Sequence, residues 1–316
     1  MAKKKLIAIV VVGLMVVAGG FYPMYADLAR GGDGGNFKVN LPIYASPAGN
    51  ASFELATEFP EVGDRAMVYK VKAPDVTIDK VLEMGRRLGF AVDAALEQRA
   101  EEIVMLDESG GETRRLAVWV DSGAVEYHVL GPGGSSKLYP PTPPILPSDE
   151  EAGEIAIQFL AEAGLLPDGA QVREVKPGGS YGGPEGEYVT HLLVSVTHEI
   201  DGVPLAGPGA KFGVRIGDGG EVVSVYRVWR ETEPYKEISI RAPQEAYQDL
   251  PAGKGSYLAS SQCKKVVVES VSLAYWMEAA DEKQEYVVPV YEFQGKCLDA
   301  EGQYLEDFTG WCQATA

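Results

Sequence analysis

The pair most suggestive of chemistry is His198-Glu199, because a histidine followed by a glutamate opens the H-E-x-x-H zinc motif. Position 202, where the second histidine belongs, is Gly, so half of the metal set is missing. His191 lies seven residues earlier in an extended run, which places it on the face opposite His198, and His128 stands alone in another run. No metal site is expected. Ser261-x-x-Lys264 matches the Ser-x-x-Lys in which a lysine activates a serine. That motif must open a helix and needs Ser-Asp-Asn and Lys-Thr-Gly companions, whereas here it precedes a strand pattern. No G-x-S-x-G elbow or Walker loop is present. Gly207-Pro208-Gly209 has no helix after it to offer an anion site, so these residues read as a turn. Paired carboxylates need only a suitable separation to hydrolyse a glycosidic bond, and Glu185, Glu187, Asp201 and Asp218 are the acids to test. The sequence calls for no cofactor.

Two further groups have a defined chemistry. Trp229 stands between Arg227 and Arg230 in an acidic chain, a composition typical of protein-binding hot spots. These three are the expected partner surface. The cysteines, Cys263, Cys297 and Cys312, all lie in the last fifth of the chain and permit one disulfide. Cys297 with Cys312 closes a short loop and Cys263 with Cys297 ties neighbouring strands; spacing alone leaves both open, with one thiol over. A metal site is disfavoured by the lack of a C-x-x-C pair or a nearby histidine.

The elements that must position these residues follow from periodicity. Tyr188 to Arg230 reads as three strands, with Leu192, Val194, Val196, His198 and Ile200 on one face and Asp218-Gly219-Gly220 as a hairpin turn. Upstream, Thr77 caps a helix carrying Ile78, Val81, Leu82, Gly85 and Leu88, and Gly89 ends it. Strands are expected over 102–107, 114–121 and 124–130. Tyr139 to Pro147 (YPPTPPILP) reads as a stiff spacer. Ser148 and Glu151 then form a capping box for a helix with Ala152, Ile155, Ala156, Phe159, Leu160 and Ala163 on one stripe, stopped by Gly164. A short helix begins at Pro243. Lys265–Met277 and Gln284–Gln294 read as a hairpin in which Pro289 confines the second strand to an edge or a bulge, and a last strand surrounds Cys297.

The 316 residues carry a net charge of −18 and a pI near 4.6, which argues against nucleic acid or an anionic lipid surface as partner and mildly favours a cationic one. Lys3, Lys4 and Lys5 precede the apolar run Leu6 to Val17, a signal peptide or membrane anchor that leaves the rest outside the cytoplasm.

The segment His198 to Arg230, with its H-E-I-D-G-V-P-L-A-G-P-G-A-K-F run, G-G-E-V and W-R, resembles extracytoplasmic domains of the PepSY and thermolysin-propeptide type. The run Gln284 to Phe293 is similar to their closing strands and to the outward-facing YycH/YycI regulators. The resemblance spans roughly Ser148 to Lys296. It implies a non-enzymatic module that binds, inhibits or chaperones a protein such as an envelope protease or a sensor kinase.

The expected protein is α+β, with antiparallel sheets each covered by a helix in repeated helix-plus-three-strand units. Its parts are a signal peptide or anchor at 1–22, a tether at 23–36, a first domain at 37–138, a linker at 139–147 and a PepSY-like domain at 148–316. The expected function is protein contact outside the cytoplasm, with the membrane engaged only through an uncleaved N-terminal segment; the rivals are a carboxylate hydrolase and a structural envelope component.

Overall fold

The computed structural model describes residue 41, residues 51–183 and residues 186–315. The expected export segment and tether lie outside the described residues. Among the described residues no helix is long and apolar enough to cross a membrane.

In chain order the elements are β1 (Ser52–Leu55), β2 (Arg65–Val71), α1 (Ile78–Arg87), β3 (Ala95–Gln98), β4 (Glu102–Asp107), β5 (Thr113–Trp119) and β6 (Val125–Leu130). Then come α2 (Asp149–Glu162), β7 (Val172–Gly183), β8 (Gly186–Val196), β9 (Glu199–Ile200), β10 (Val203–Ala206), β11 (Phe212–Ile216), β12 (Val222–Arg227) and β13 (Thr232–Ser239). The chain closes with α3 (Pro243–Tyr247), β14 (Ser256–Leu258), β15 (Lys265–Trp276), β16 (Tyr286–Val287), β17 (Pro289–Leu298) and β18 (Tyr304–Gln313). This is an α+β chain of mostly antiparallel sheets with three helices.

Helix boundaries follow the local signals. Thr77 caps α1 by accepting from the Lys80 amide, Ser148 and Glu151 complete the capping box of α2, and Gly89 and Gly164 leave their helices at φ of 78° and 70°, where a Cβ would be strained. Both helices cover one face of an eight-stranded sheet ordered β3-β4-β5-β6-β12-β11-β8-β7. Val81, Leu88 and Phe90, from α1 and the turn after it, meet Leu116, Val118, Tyr127 and Val129 there. Ala152, Ala156 and Leu160 of α2 meet Val194, Val214 and Val225 in the same core.

The expected division at 139–147 does not separate two sheets. β6 pairs with β12 in register Val125 with Arg227 and His128 with Ser224, so strands from either side of the proline-rich segment form one continuous sheet. That segment is a strap pinned at both ends: Tyr188 Oη donates to the Pro140 carbonyl at 2.8 Å, and the Ile145 amide donates to Asp218 Oδ1 at 2.7 Å. Four strands, not three, follow α1 before the next helix, the additional one being β3; β7 was also not expected.

The remaining strands form a seven-stranded sheet, β14-β18-β17-β15-β10-β9, with β1 alongside β15, and a three-stranded sheet β13-β2-β16. β1 and β10 both run parallel to β15. The expected strand at 284–294 breaks at Val288: β16 joins β2, and β17 then enters the large sheet between β15 and β18. Pro289 is the first residue of an interior strand, not an edge residue; a strand's first position also tolerates the missing N–H.

Cys263 pairs with Cys297 at a Cα separation of 5.4 Å, joining the start of β15 to β17. The alternative pairing is excluded by register, since Cys297 faces Glu306 and Cys312 faces Tyr291 across β17 and β18. Cys312 is free and buried, and burial pushes its thiol up to about 12.

Candidate functional site

The sheet face turned away from α1 and α2 carries the site. Trp119 opposes Glu102, and Ala117, Glu126 and Tyr226 stand side by side across β5, β6 and β12, so alternation puts them all on this face. It is mostly polar. Arg115 donates to Glu126 at 3.0 Å and lies 3.4 Å from Glu102, Arg99 reaches Glu102 at 2.6 Å, and His128 contacts Glu126 at 2.8 Å. The hydrogen bond from His128, with Arg115 beside it, holds the Glu126 carboxyl below the usual carboxylate range against the opposing effect of burial.

At one end this face meets the turn 278–282 that follows β15. Between them is an open cleft of about 580 Å³ lined by Arg99, Ala100, Glu101, Glu102, Trp119 and Tyr226 from the sheet side and Ala280 and Asp281 from the turn. Trp119 and Tyr226 are half-buried against the core containing Ala124, Val228 and Ala280 and form its aromatic floor. Burial pushes the Tyr226 hydroxyl up to about 12. Among the described residues Glu101 and Asp281 form no ion pair, whereas Arg99 is engaged by both Glu97 and Glu102.

The turn wall is held rigidly. Arg230 donates to the carbonyls of Glu278 at 2.7 Å, Ala279 at 2.6 Å and Glu282 at 2.8 Å. Ser122 donates to the Ala280 carbonyl, and Gln284 Nε2 donates to the Trp276 and Tyr286 carbonyls while its Oε1 accepts from the Glu278 amide. Gly207 and Gly209 complete the junction, for the Gly209 amide donates to Met277 and a Cβ on Gly209 would fall 1.8 Å from the Glu278 carbonyl oxygen. The glycines read as a turn are therefore also required by close backbone approach.

Glu278 itself has its carboxyl pushed up to about 7, chiefly by burial and secondarily by Glu282, with the Trp276 ring and Arg230 acting in the opposite sense. It does not line the cleft.

The three residues expected to form a partner surface point inward instead. Arg230 is 4% exposed and occupied by the turn. Trp229 stacks on His198 with centroids 3.7 Å apart and planes 9° from parallel, and its edge meets Phe212. Arg227 lies 5.9 Å over the Phe212 ring with its Nε buried and unpartnered. From the last residue of β12 onward the chain turns this basic-aromatic group against His198, Phe212 and the turn 278–282, which composition does not reveal. His198, surrounded by that group, has its pKa lowered to about 3 by burial and by the two arginines.

The other sequence candidates are dispersed. His191 is buried on the polar face beneath Tyr139, far along the strand from His198. Asp201 accepts from Tyr69, Asp218 caps the Ile145 amide, Glu187 is exposed at the start of β8, and Glu185 lies outside the described residues. Lys264 Nζ donates to the Ser261 carbonyl, not its hydroxyl. No cluster of three metal-binding side chains occurs among the described residues. The cleft was missed in sequence because Trp119, Tyr226 and Asp281 are brought together from distant positions; the available signal was an aromatic residue on the polar face of β5.

No protein-family model matches the chain. No curated protein matches it. Among solved structures, the chain is similar to an uncharacterized protein from Eubacterium rectale, at 10% identity and a TM-score of 0.48 over 84% of this chain and 88% of that one.

Proposed function

We propose that this chain is a non-enzymatic extracytoplasmic binding protein that engages a protein partner through the cleft between Trp119, Tyr226 and the turn 278–282. The observation that carries the reading is the aromatic floor left open between two fixed walls, with the Glu101 and Asp281 carboxylates at its rim. Concave sites with aromatic floors and few convergent polar groups are where proteins hold ligands. The cystine pair Cys263–Cys297 suits an oxidising compartment, in keeping with the Lys3–Lys5 and Leu6–Val17 export pattern. The sheet order is compatible with a duplicated unit of one helix and four strands meeting at β6 and β12. On this reading the chain is related to PepSY-like and YycH/YycI-type modules, and its partner is an envelope protease or sensor kinase. A hydrolase is less well supported, because the carboxyl raised to about 7, Glu278, stands outside the cleft.

The test is a photo-crosslinking amino acid placed at Ala100, on the cleft, in the full chain in the cell that makes it. One discrete protein adduct is expected, absent when the probe is at Glu150 on α2 and lost when Trp119→Ala is added. Equal adducts at both positions, or none at Ala100, overturn the proposal.

A further inference from the structure

We infer that the cleft receives a single basic side chain, lysine or arginine, from an extended segment of the partner; this rests on the cleft being the contact site. The first argument is charge. The face bordering the cleft already matches its own cations to acids, since Arg99 is held by Glu97 and Glu102, and Arg115 by Glu102 and Glu126. Glu101 and Asp281 stand on opposite walls and neither is held in an ion pair among the described residues. A cation entering between them meets two carboxylates outside any ion pair, of which Asp281 feels the field of Arg230 from within the turn and Glu101 has, among the described residues, no internal cation acting on it.

The second argument is the floor. An ammonium or guanidinium is attracted to the face of an aromatic ring, most strongly tryptophan, and the aliphatic stem of either side chain covers apolar surface while its head stays polar. Trp119 and Tyr226 supply that surface under the carboxylate rim. An acidic occupant is disfavoured by Glu101, Glu102 and Asp281 together, and the chain's net charge of −18 favours encounter with a basic partner.

The third argument is rigidity. Ala280 and Asp281 lie within the turn fixed by Arg230 and Ser122, so the carboxylate wall is set before binding and little ordering is needed on association.

The probes are acetyl-Gly-Lys-Gly-amide, its arginine and norleucine counterparts, and cellobiose, each titrated into the full chain. The readout is the Trp119 indole N–H resonance, assigned by its loss in Trp119→Phe. Lysine and arginine peptides should shift it saturably and norleucine should not. Glu101→Gln with Asp281→Asn should weaken the lysine peptide about three- to ten-fold, as expected for losing two exposed charge contacts. Glu150→Gln with Glu154→Gln, which changes net charge equally on α2, should leave it within about two-fold. The proposal is overturned if norleucine matches lysine, if cellobiose binds more tightly, or if the α2 variant weakens binding as much. An Ala100 crosslink that survives Glu101→Gln with Asp281→Asn would leave the cleft as contact site and remove only the basic occupant.

Discussion

Trp229 lies flat on His198, with 3.7 Å between ring centroids, and Arg227 and Arg230 are the charges that bear on the imidazole. A protonated His198 would share a buried space with two cations. The ring is therefore neutral in the folded chain, and this has a direct effect on acid stability.

Since the His198 pKa falls from its ordinary 6.5 to about 3 on folding, the unfolded chain binds the extra proton between those values and stability rises with pH across that window. The contribution is complete above about 6.5 and is lost as pH falls toward 3. His198→Phe keeps a flat ring on Trp229 and should flatten this acid limb by a few kcal/mol, at about 1.36 kcal/mol per unit. Urea midpoints measured from pH 7 to pH 4 check it; parallel pH profiles for variant and parent would count against it.

Glu278 works in the opposite direction. Its carboxyl rises from 4.5 to about 7 on folding, so the folded chain holds the proton more tightly and stability is lost as pH rises through that range. Glu278→Gln should stabilise the chain at pH 8 relative to pH 5 by on the order of 2 kcal/mol. Thermal unfolding at the two pH values is the measurement.

Arg227 and Arg230 look equivalent in sequence but should respond differently. Arg230→Met leaves three carbonyls of the turn 278–282 without their donor and should cost about 3–5 kcal/mol. Arg227→Met removes a buried guanidinium that has no carboxylate in an ion pair, so its effect should fall within about 1 kcal/mol of zero or be stabilising. Equilibrium urea unfolding at pH 7 separates them.

Gly209→Ala forces a Cβ to 1.8 Å from the Glu278 carbonyl oxygen. Backbone atoms on both sides cannot yield cheaply, and a loss of about 3 kcal/mol or more is expected. Gly182→Ala, where nothing lies within 4 Å, is the control and should be close to neutral in the same calorimetric scan.

What was legible in the sequence was local. Thr77, Gly89, Ser148, Glu151 and Gly164 mark α1 and α2 because capping and left-handed stops are settled within a few residues. The pairing of β6 with β12 was not legible, because a proline-rich segment between two halves has the same composition whether it separates domains or straps one sheet. Arg227, Trp229 and Arg230 were misplaced for a related reason: the residues that cover them lie elsewhere in the chain, His198 and Phe212 for Trp229, Phe212 for Arg227 and the turn 278–282 for Arg230. Cys263 and Cys297 were one of two open pairings until the β17–β18 register put Cys297 and Cys312 out of reach.

The strand β1 adds a constraint on how the molecule is made. Among the described residues it has no strand partner near it in sequence: Ser52 opposes Lys265, and the Ser52 amide donates to the Lys264 carbonyl, 212 residues away. A chain emerging from its N-terminus must leave that strand waiting until nearly all the remainder has arrived, and closing so long a loop makes the pairing a late event. The first described strand is thus among the last to be seated, and the seven-stranded sheet closes along that edge only once β15 is in place.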